Sequence, residues 1–224
     1  MYDKKEKIYI SVSDPEVQYL KQADPVLSRV IALVGDITCN NHDNPEQFLI
    51  ETIVGQMLSN KAARKINDRM CDLCQGIPTA SVIETLSREQ LRSVGISYQK
   101  VDYIKAFAAY IADHPYFLDS LTEKDNDDVI KTLVSMKGIG TWTAKMYLLF
   151  VLRRDDVIPF EDGAFMQAFR WCYGKSSKAE VLAIAQKWLP YASTAARFLY
   201  RALDYGYTKY DSIESAEQQN KGNT

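Results

Sequence analysis

The 224-residue chain carries 27 Lys and Arg against 29 Asp and Glu, a formal net charge of −2, and 46% of its residues are hydrophobic. This composition supports a real core, in one domain or two packed lobes, and excludes a protein that coats nucleic acid through bulk positive charge, so any DNA contact must be local. No apolar run approaches the roughly 20 residues needed to span a bilayer, and the opening Met1-Tyr-Asp-Lys-Lys-Glu-Lys lacks the apolar stretch of a secretory signal, which predicts a soluble intracellular protein without a membrane role.

Along the chain the signals are those of helices. Asp24-Pro25 pairs an N-cap residue with Pro at the first helical position, and Asn44-Pro45 repeats the device before Phe48, Leu49, Thr52, Ile53 and Gln56. Ser87-Arg-Glu-Gln90 has capping-box spacing, and Ser97 precedes Val101, Ile104, Phe107, Ala108 and Ile111 at helical intervals. Ser177-Lys-Ala-Glu180 is a second capping box. Gly76-Ile-Pro78, Gly95, Gly138-Ile-Gly140 and Gly163 are short breaks, and none is a long linker. No alternating β-branched runs joined by Asn-Gly or Asp-Gly turns are found, so the fold reads as all-α. From about Ser215 the polar tail reads as frayed.

Cysteine and histidine offer little chemistry. Only Cys71 and Cys74 are closely spaced, no second pair completes a zinc site, and Cys39 and Cys172 stand alone, so buried or idle thiols are expected. His42 and His114 fall in expected loops without partners at ligand or triad spacing and receive no role.

The most informative segment is residues 128–152. Val129, Leu133 and Met136 form one apolar stripe, Ala144, Leu148 and Val151 another, with Lys137-Gly-Ile-Gly140 between them. Two glycines let the backbone approach a ligand closely, and the N–H groups opening the second helix can hold a phosphate without side-chain charge. A monovalent cation, Na+ or K+, on backbone carbonyls near Gly138 could assist, and Lys137 and Lys145 could add charge. Taken alone, a glycine turn of this kind more often just joins two packed helices.

Residues Met136-Lys-Gly-Ile-Gly-Thr-Trp-Thr-Ala144, followed by Val157-Ile-Pro-Phe-Glu-Asp162, resemble the helix-hairpin-helix and Gly/Pro-Asp signature of the endonuclease III-like (HhH-GPD) DNA glycosylases. Trp142 points to the 3-methyladenine DNA glycosylase branch, the AlkA type. Ile53-Val-Gly-Gln-Met-Leu-Ser-Asn-Lys-Ala-Ala63, Leu91-Arg-Ser-Val-Gly-Ile-Ser-Tyr-Gln-Lys100 and Lys187-Trp-Leu-Pro-Tyr191 resemble that branch in the same order, so the likeness covers roughly Asp24 to Tyr205. It implies a single two-lobed helical module with an active-site cleft between the lobes. A central lobe would span about 45–125, and a second lobe 1–44 plus 126–214, holding the hairpin at 128–152 and leaving 215–224 as the frayed tail. The extra amino-terminal β domain of larger members is not expected.

The resemblance also assigns roles. Asp162, 20 residues after Trp142, would be the catalytic carboxylate, with Glu161 its only near rival. It would stabilise oxocarbenium character on the sugar and orient or deprotonate water. Read without the resemblance, Asp162 before Gly163 is first of all the N-cap of a helix reaching Tyr173. Trp142 and Tyr191 would line a pocket for a cationic alkylated purine through stacking and cation–π attraction, whereas Trp171 and Trp188 read as core. Lys137, Gly138, Gly140, Thr143, Gln56, Met57 and Ser59 would face DNA, with Met57 filling the hole left by a flipped base. A buried methionine is the bland alternative for Met57. Lys137 departs from the proline usual before Gly-Ile-Gly, and Met57 from a frequent second glutamine. Enzymes of this superfamily that also nick DNA place a Schiff-base lysine where Trp142 stands, and with only Cys172 beyond the hairpin the fourth cysteine and the tight carboxy-terminal spacing of the iron–sulfur relatives are missing. The expectation is a monomeric, monofunctional glycosylase acting on damaged double-stranded DNA, without cluster or side-chain metal, in the cytoplasm or nucleoid of a prokaryote or the nucleus of a eukaryote. The alternatives are a glycosylase for uracil, mismatched adenine or an oxidised purine, a non-catalytic lesion-sensing DNA-binding module, and a helical protein-interaction scaffold.

Overall fold

The helix starts read from capping residues are all present in the computed structural model, which describes residues 7–222. Asp24 accepts from the Val26 and Leu27 N–H groups and Asn44 from that of Gln47, each before Pro at the first helical position. Ser97 accepts from the Lys100 N–H, and Ser87–Gln90 and Ser177–Glu180 form complete reciprocal capping boxes. Such caps are worth about 1 kcal/mol each, and here they fix where each helix enters its unit.

In chain order the elements are β1 (Lys7–Ile10), α1 (Pro15–Ala23), α2 (Pro25–Val34), β2 (Ile37–Asn40), α3 (Pro45–Gly55), α4 (Asn60–Leu73), α5 (Ala80–Thr85), α6 (Arg88–Ser93) and α7 (Tyr98–Asp113). There follow α8 (Phe117–Ser120), α9 (Asn126–Val134), α10 (Thr141–Phe150), α11 (Gly163–Tyr173), α12 (Lys178–Ala185), α13 (Ala192–Asp204) and α14 (Ile213–Gly222). Among the described residues no helix is long and apolar enough to cross a membrane.

The described chain divides into two compact units, His42–Leu152 and Lys7–Asn41 with Arg153–Gly222. In the first, α3 buries Leu49, Ile50 and Ile53, α7 buries Val101, Ile104 and Phe107, and the hairpin contributes Val129, Leu133, Ala144 and Leu148. Helix α10 packs on both α9 and α3, so the hairpin falls in this unit. The expected division, which grouped residues 126–152 with the amino- and carboxy-terminal segments, is redrawn at that point, because the apolar face of α10 is shared with α3. In the second unit Leu20, Leu27, Ile31, Phe165, Phe169, Trp188 and Phe198 are fully buried. Each such side chain stabilises the fold by about 1.5–3 kcal/mol.

Two expectations need correction. The fold is helical, but β1 and β2 pair antiparallel with Ile8 opposite Cys39 and Ile10 opposite Ile37. Ile37 and Cys39 are buried while Thr38 and Asn40 face out, an alternation of four residues whose strands are joined through α1 and α2 and not by a turn motif. The tail from Ser215 is helical as α14: Ile213 and Ala216 are buried, and Arg29 bonds both Glu214 and Glu217. Exposed ion pairs contribute little, so the two buried apolar residues are the anchor.

Candidate functional site

The hairpin is built as expected, with Leu133 in the last turn of α9, Met136 in the turn that follows and Gly140 in the N-cap position of α10. Gly138 takes φ +88, and a Cβ there would lie 2.5 Å from Tyr103 Cγ and Cδ2, so the position requires glycine on both conformational and steric grounds. Gly140 has an ordinary φ of −104, is exposed, and has open space where a side chain would be. No side chain at Gly140 caps α10, and Thr141 and Trp142 of its first turn are exposed. Lys137 is exposed beside them.

Two carbonyls of the turn accept hydrogen bonds. Gly138 O accepts from Gln56 Nε2 at 2.7 Å, and Met136 O accepts from the Ile139 N–H at 3.1 Å. Each of these two oxygens keeps a second lone pair. Among the described residues no three His, Cys, Asp or Glu side chains gather into a metal set.

Met57 follows α3 with φ +59 and is completely exposed, at 101% of its reference area. The buried-methionine reading is thereby excluded. A non-glycine residue with positive φ and an apolar side chain in water is held there by its surroundings, a pattern that clusters at functional positions. Those surroundings are the Lys100 ammonium, which donates to Val54 O and Gln56 O at 2.8 Å each, and Gln56, which reaches the hairpin. Burial lowers the Lys100 pKa. Ser59 is exposed and caps α4 by accepting from the Ala62 N–H. Trp142 is 36% exposed on the first turn of α10, whereas the adjacent Thr143 is 1% exposed. Thr143 thus holds α10 in its unit and presents no side chain to DNA, a correction to its expected role.

In the other unit Asp162 is half-buried and caps α11, Oδ1 accepting from the Phe165 N–H at 2.8 Å. Tyr200, from α13, lies near it: burial pushes the phenol well above its ordinary pKa, and the charge of Asp162 pushes it further. The loop leading to Asp162 is clamped by the buried Ser193, whose Oγ accepts from the Val157 N–H and donates to Arg154 O while its N–H donates to Asp155 O. Glu161, the rival carboxylate, is exposed. Tyr191 is half-buried at the start of α13, edge-on to Tyr19 with ring centroids 5.4 Å apart, and the Tyr19 hydroxyl donates to Leu189 O.

Trp188 is fully buried and Trp171 half-buried, donating to Tyr210 O, in keeping with a core reading for both. Asp24, known from sequence only as a cap, is enclosed by hydrogen bonds: besides its two N–H groups it accepts from Trp188 Nε1 at 3.0 Å and Tyr173 Oη at 2.9 Å. It is 2% exposed, so it serves the core. His114 stacks on Tyr110 at the end of α7, and His42 lies edge-on to Phe48.

Reasoning from sequence missed Tyr19, Tyr103, Ser193 and Tyr200, and gave Lys100 no task. Lys100 and Ser193 stand within or beside the quoted motifs, which was the available signal. Nothing distinguished Tyr19, Tyr103 or Tyr200 among 14 tyrosines.

Known proteins match this architecture. The family described as HhH-GPD superfamily base excision DNA repair protein matches residues 50–191. The chain is 30% identical over 217 residues to DNA-3-methyladenine glycosylase 1 of Schizosaccharomyces pombe, covering 92% of this chain and 95% of that protein. It is 28% identical to the alkylbase DNA glycosidase-like protein mag2 of the same yeast, covering 82% and 91%. The structure of a DNA-3-methyladenine glycosidase from Bacillus halodurans superposes with a TM-score of 0.83 at 30% identity, over 94% of this chain and 99% of that one. The S. pombe 3-methyladenine DNA glycosylase in complex with abasic DNA superposes with a TM-score of 0.73 at 28% identity, over 84% and 96%.

Proposed function

This chain belongs to the HhH-GPD superfamily of base excision DNA repair proteins, and from that premise we propose that it is a monofunctional DNA glycosylase that releases alkylated purines of the 3-methyladenine and 7-methylguanine type from double-stranded DNA. The observation that carries this reading is Asp162, a carboxylate fixed as the cap of α11 beside Tyr200 on a loop clamped by Ser193. The relatives named as 3-methyladenine glycosylases support the lesion class.

Duplex DNA is held at the hairpin by the first-turn N–H groups of α10 and by Lys137, which explains how a chain of net charge −2 binds a polyanion. Met57 enters the stack where the damaged nucleotide has left it. Trp142 on α10 and, in the other unit, Tyr191 are each electron-rich rings suited to stacking on a cationic purine, whose positive charge both strengthens such a contact and makes the base a better leaving group. As the C1′–N bond breaks, its electron pair departs with the base and positive charge develops on the sugar. Asp162 stabilises that charge and orients a water molecule, which adds to C1′ and gives up its proton by way of the carboxylate. The products are the free base and an intact abasic site. Trp142 supports hydrolysis over strand cleavage, since indole cannot attack C1′ as an amine. The enzyme is read as a monomer that needs no iron–sulfur cluster.

The test is to incubate the protein with duplex DNA containing 3-methyladenine or 7-methylguanine, and to measure base release and strand breaks before and after alkali. Release by wild type, breaks only after alkali, and no release by Asp162→Asn are expected. Direct nicking would overturn the monofunctional reading, and no release of either base the assignment to alkylated purines.

A further inference from the structure

A wedge that enters a base stack must resist being pushed aside, and an exposed methionine at a loop tip ordinarily would not. We propose that Lys100 and Gln56 are positioning residues that hold Met57 in a preformed geometry and couple it to the phosphate-binding turn at Gly138. The inference rests on the reading of Met57 as the wedge and adds how the protein keeps it in place.

The geometry has three parts. Helix α3 ends at Gly55, where its last carbonyls lack intrahelical donors and carry partial negative charge. The Lys100 ammonium takes up Val54 O and Gln56 O, on either side of Gly55, which fixes the peptide immediately before Met57. Gln56, its carbonyl so held, sends its side chain to Gly138 O at 2.7 Å, and Gly138 is in turn backed by Tyr103. The Met57 backbone at φ +59 thus lies two covalent steps from one anchor and a single side chain from the hairpin.

Lys100 sits in the first turn of α7, where the helix dipole disfavours a cation, and burial further lowers its pKa. A lysine kept there against both effects is doing something its own helix does not require. Ordering the wedge during folding removes that entropic cost from the binding step. Loss of Lys100 should therefore weaken stable extrusion of the base, and leave untouched any step that does not involve Met57.

The experiment is a double-mutant cycle on Met57→Ala and Lys100→Met, with Gln56→Leu as a second probe should Lys100→Met fold poorly. Affinity is read by fluorescence anisotropy on a duplex containing a tetrahydrofuran abasic analogue, and base extrusion by 2-aminopurine fluorescence beside the lesion. Both readouts proceed without bond cleavage, so they remain informative even if the chain proves not to excise alkylated purines. Lys100→Met is expected to lower affinity about tenfold, the scale of losing charge-assisted hydrogen bonds, with a matching loss of extrusion signal. In the Met57→Ala background the same change should cost less than about twofold, because the group being positioned is already gone. Equal losses in the two backgrounds would mean that Lys100 serves only the fold and would overturn the proposal. So would Lys100→Met or Gln56→Leu proteins that bind and extrude like wild type, or a Met57→Ala protein that does so, the last removing the wedge itself.

Discussion

Gly138 and Gly140 flank one buried isoleucine, yet the structure assigns them different physical tasks, and alanine at each position should separate these. At Gly138 the new Cβ would lie 2.5 Å from Tyr103 Cγ and Cδ2 and 2.8 Å from Tyr103 Cβ. These atoms sit at the root of the ring and cannot swing clear, so backbone must move. Overpacking of this kind costs about 1–3 kcal/mol, and placing an L-residue at φ +88 adds about 1–2 kcal/mol. The combined loss of roughly 2–5 kcal/mol corresponds to a fall in melting temperature of about 5–15 °C for a chain of this size. At Gly140 φ is −104 and nothing lies within 4 Å of the new Cβ, so the loss should stay within about 1 kcal/mol, the usual range for an N-cap change. The Gly140 methyl projects instead into the space a phosphate would use, so DNA affinity should fall while the melting curve barely moves. Calorimetry and anisotropy on the same preparations give both numbers. Adding Tyr103→Ala should return part of the Gly138→Ala loss, namely the steric part and not the dihedral part. A Gly138→Ala protein as stable as wild type would refute the packing argument, and a Gly140→Ala protein with full DNA affinity would refute the close-approach argument.

Asp162→Asn keeps an oxygen acceptor for the Phe165 N–H and should melt within about 1 °C of wild type, whereas Asp162→Ala should lose about 1 kcal/mol; both should lower base release at least about 100-fold in single-turnover assays, and an active Asp162→Asn protein would reduce this residue to a cap. Asp24→Ala strips acceptors from two backbone N–H groups, the Trp188 indole and the Tyr173 hydroxyl, and urea titration should show a loss of about 3–5 kcal/mol. Stability should also decline in alkali. Burial pushes the Cys74 thiol up to about 11 and raises Cys172, Tyr147, Tyr173 and Tyr200 above their ordinary values near 9 and 10. In that window the unfolded chain has released protons that the folded chain retains, so the stability slope with pH is negative from about pH 9 upward. A urea midpoint constant from pH 7 to pH 10.5 would contradict it.

What the sequence revealed, and what it did not, follows from the range of the interactions involved. N-caps and capping boxes act over two or three residues, so Asp24, Asn44, Ser87, Ser97 and Ser177 could be read directly. The hairpin stripes repeat within one helix each and were equally visible. The β1–β2 ribbon was not, because its two four-residue strands alternate too briefly to stand out and are joined through two helices. Helix α14 was hidden by a polar composition, since only Ile213 and Ala216 of its described face are buried. At the site, the residues tied to a motif were legible. The neighbours that fix their geometry, Tyr103 behind Gly138 and Tyr200 beside Asp162, lie 35 and 38 positions away and carry no local signature.

Capping and catalysis at Asp162 therefore need not compete as explanations. A carboxylate has two oxygens and about four acceptor sites, and the cap at Phe165 uses one oxygen in one direction. That bond fixes the side-chain rotamer, the first-turn N–H groups of α11 place partial positive charge behind it, and Ser193 ties down residues 154–157 on the way to it. An acid whose task is to meet positive charge developing on a sugar works best when its dipolar surroundings are arranged before the reaction begins, because no reorganisation is then required as the bond breaks. An N-cap provides such an arrangement from local sequence alone. On the proposed reading, the first turn of α10, which no side chain at Gly140 caps, would offer N–H groups to a phosphate.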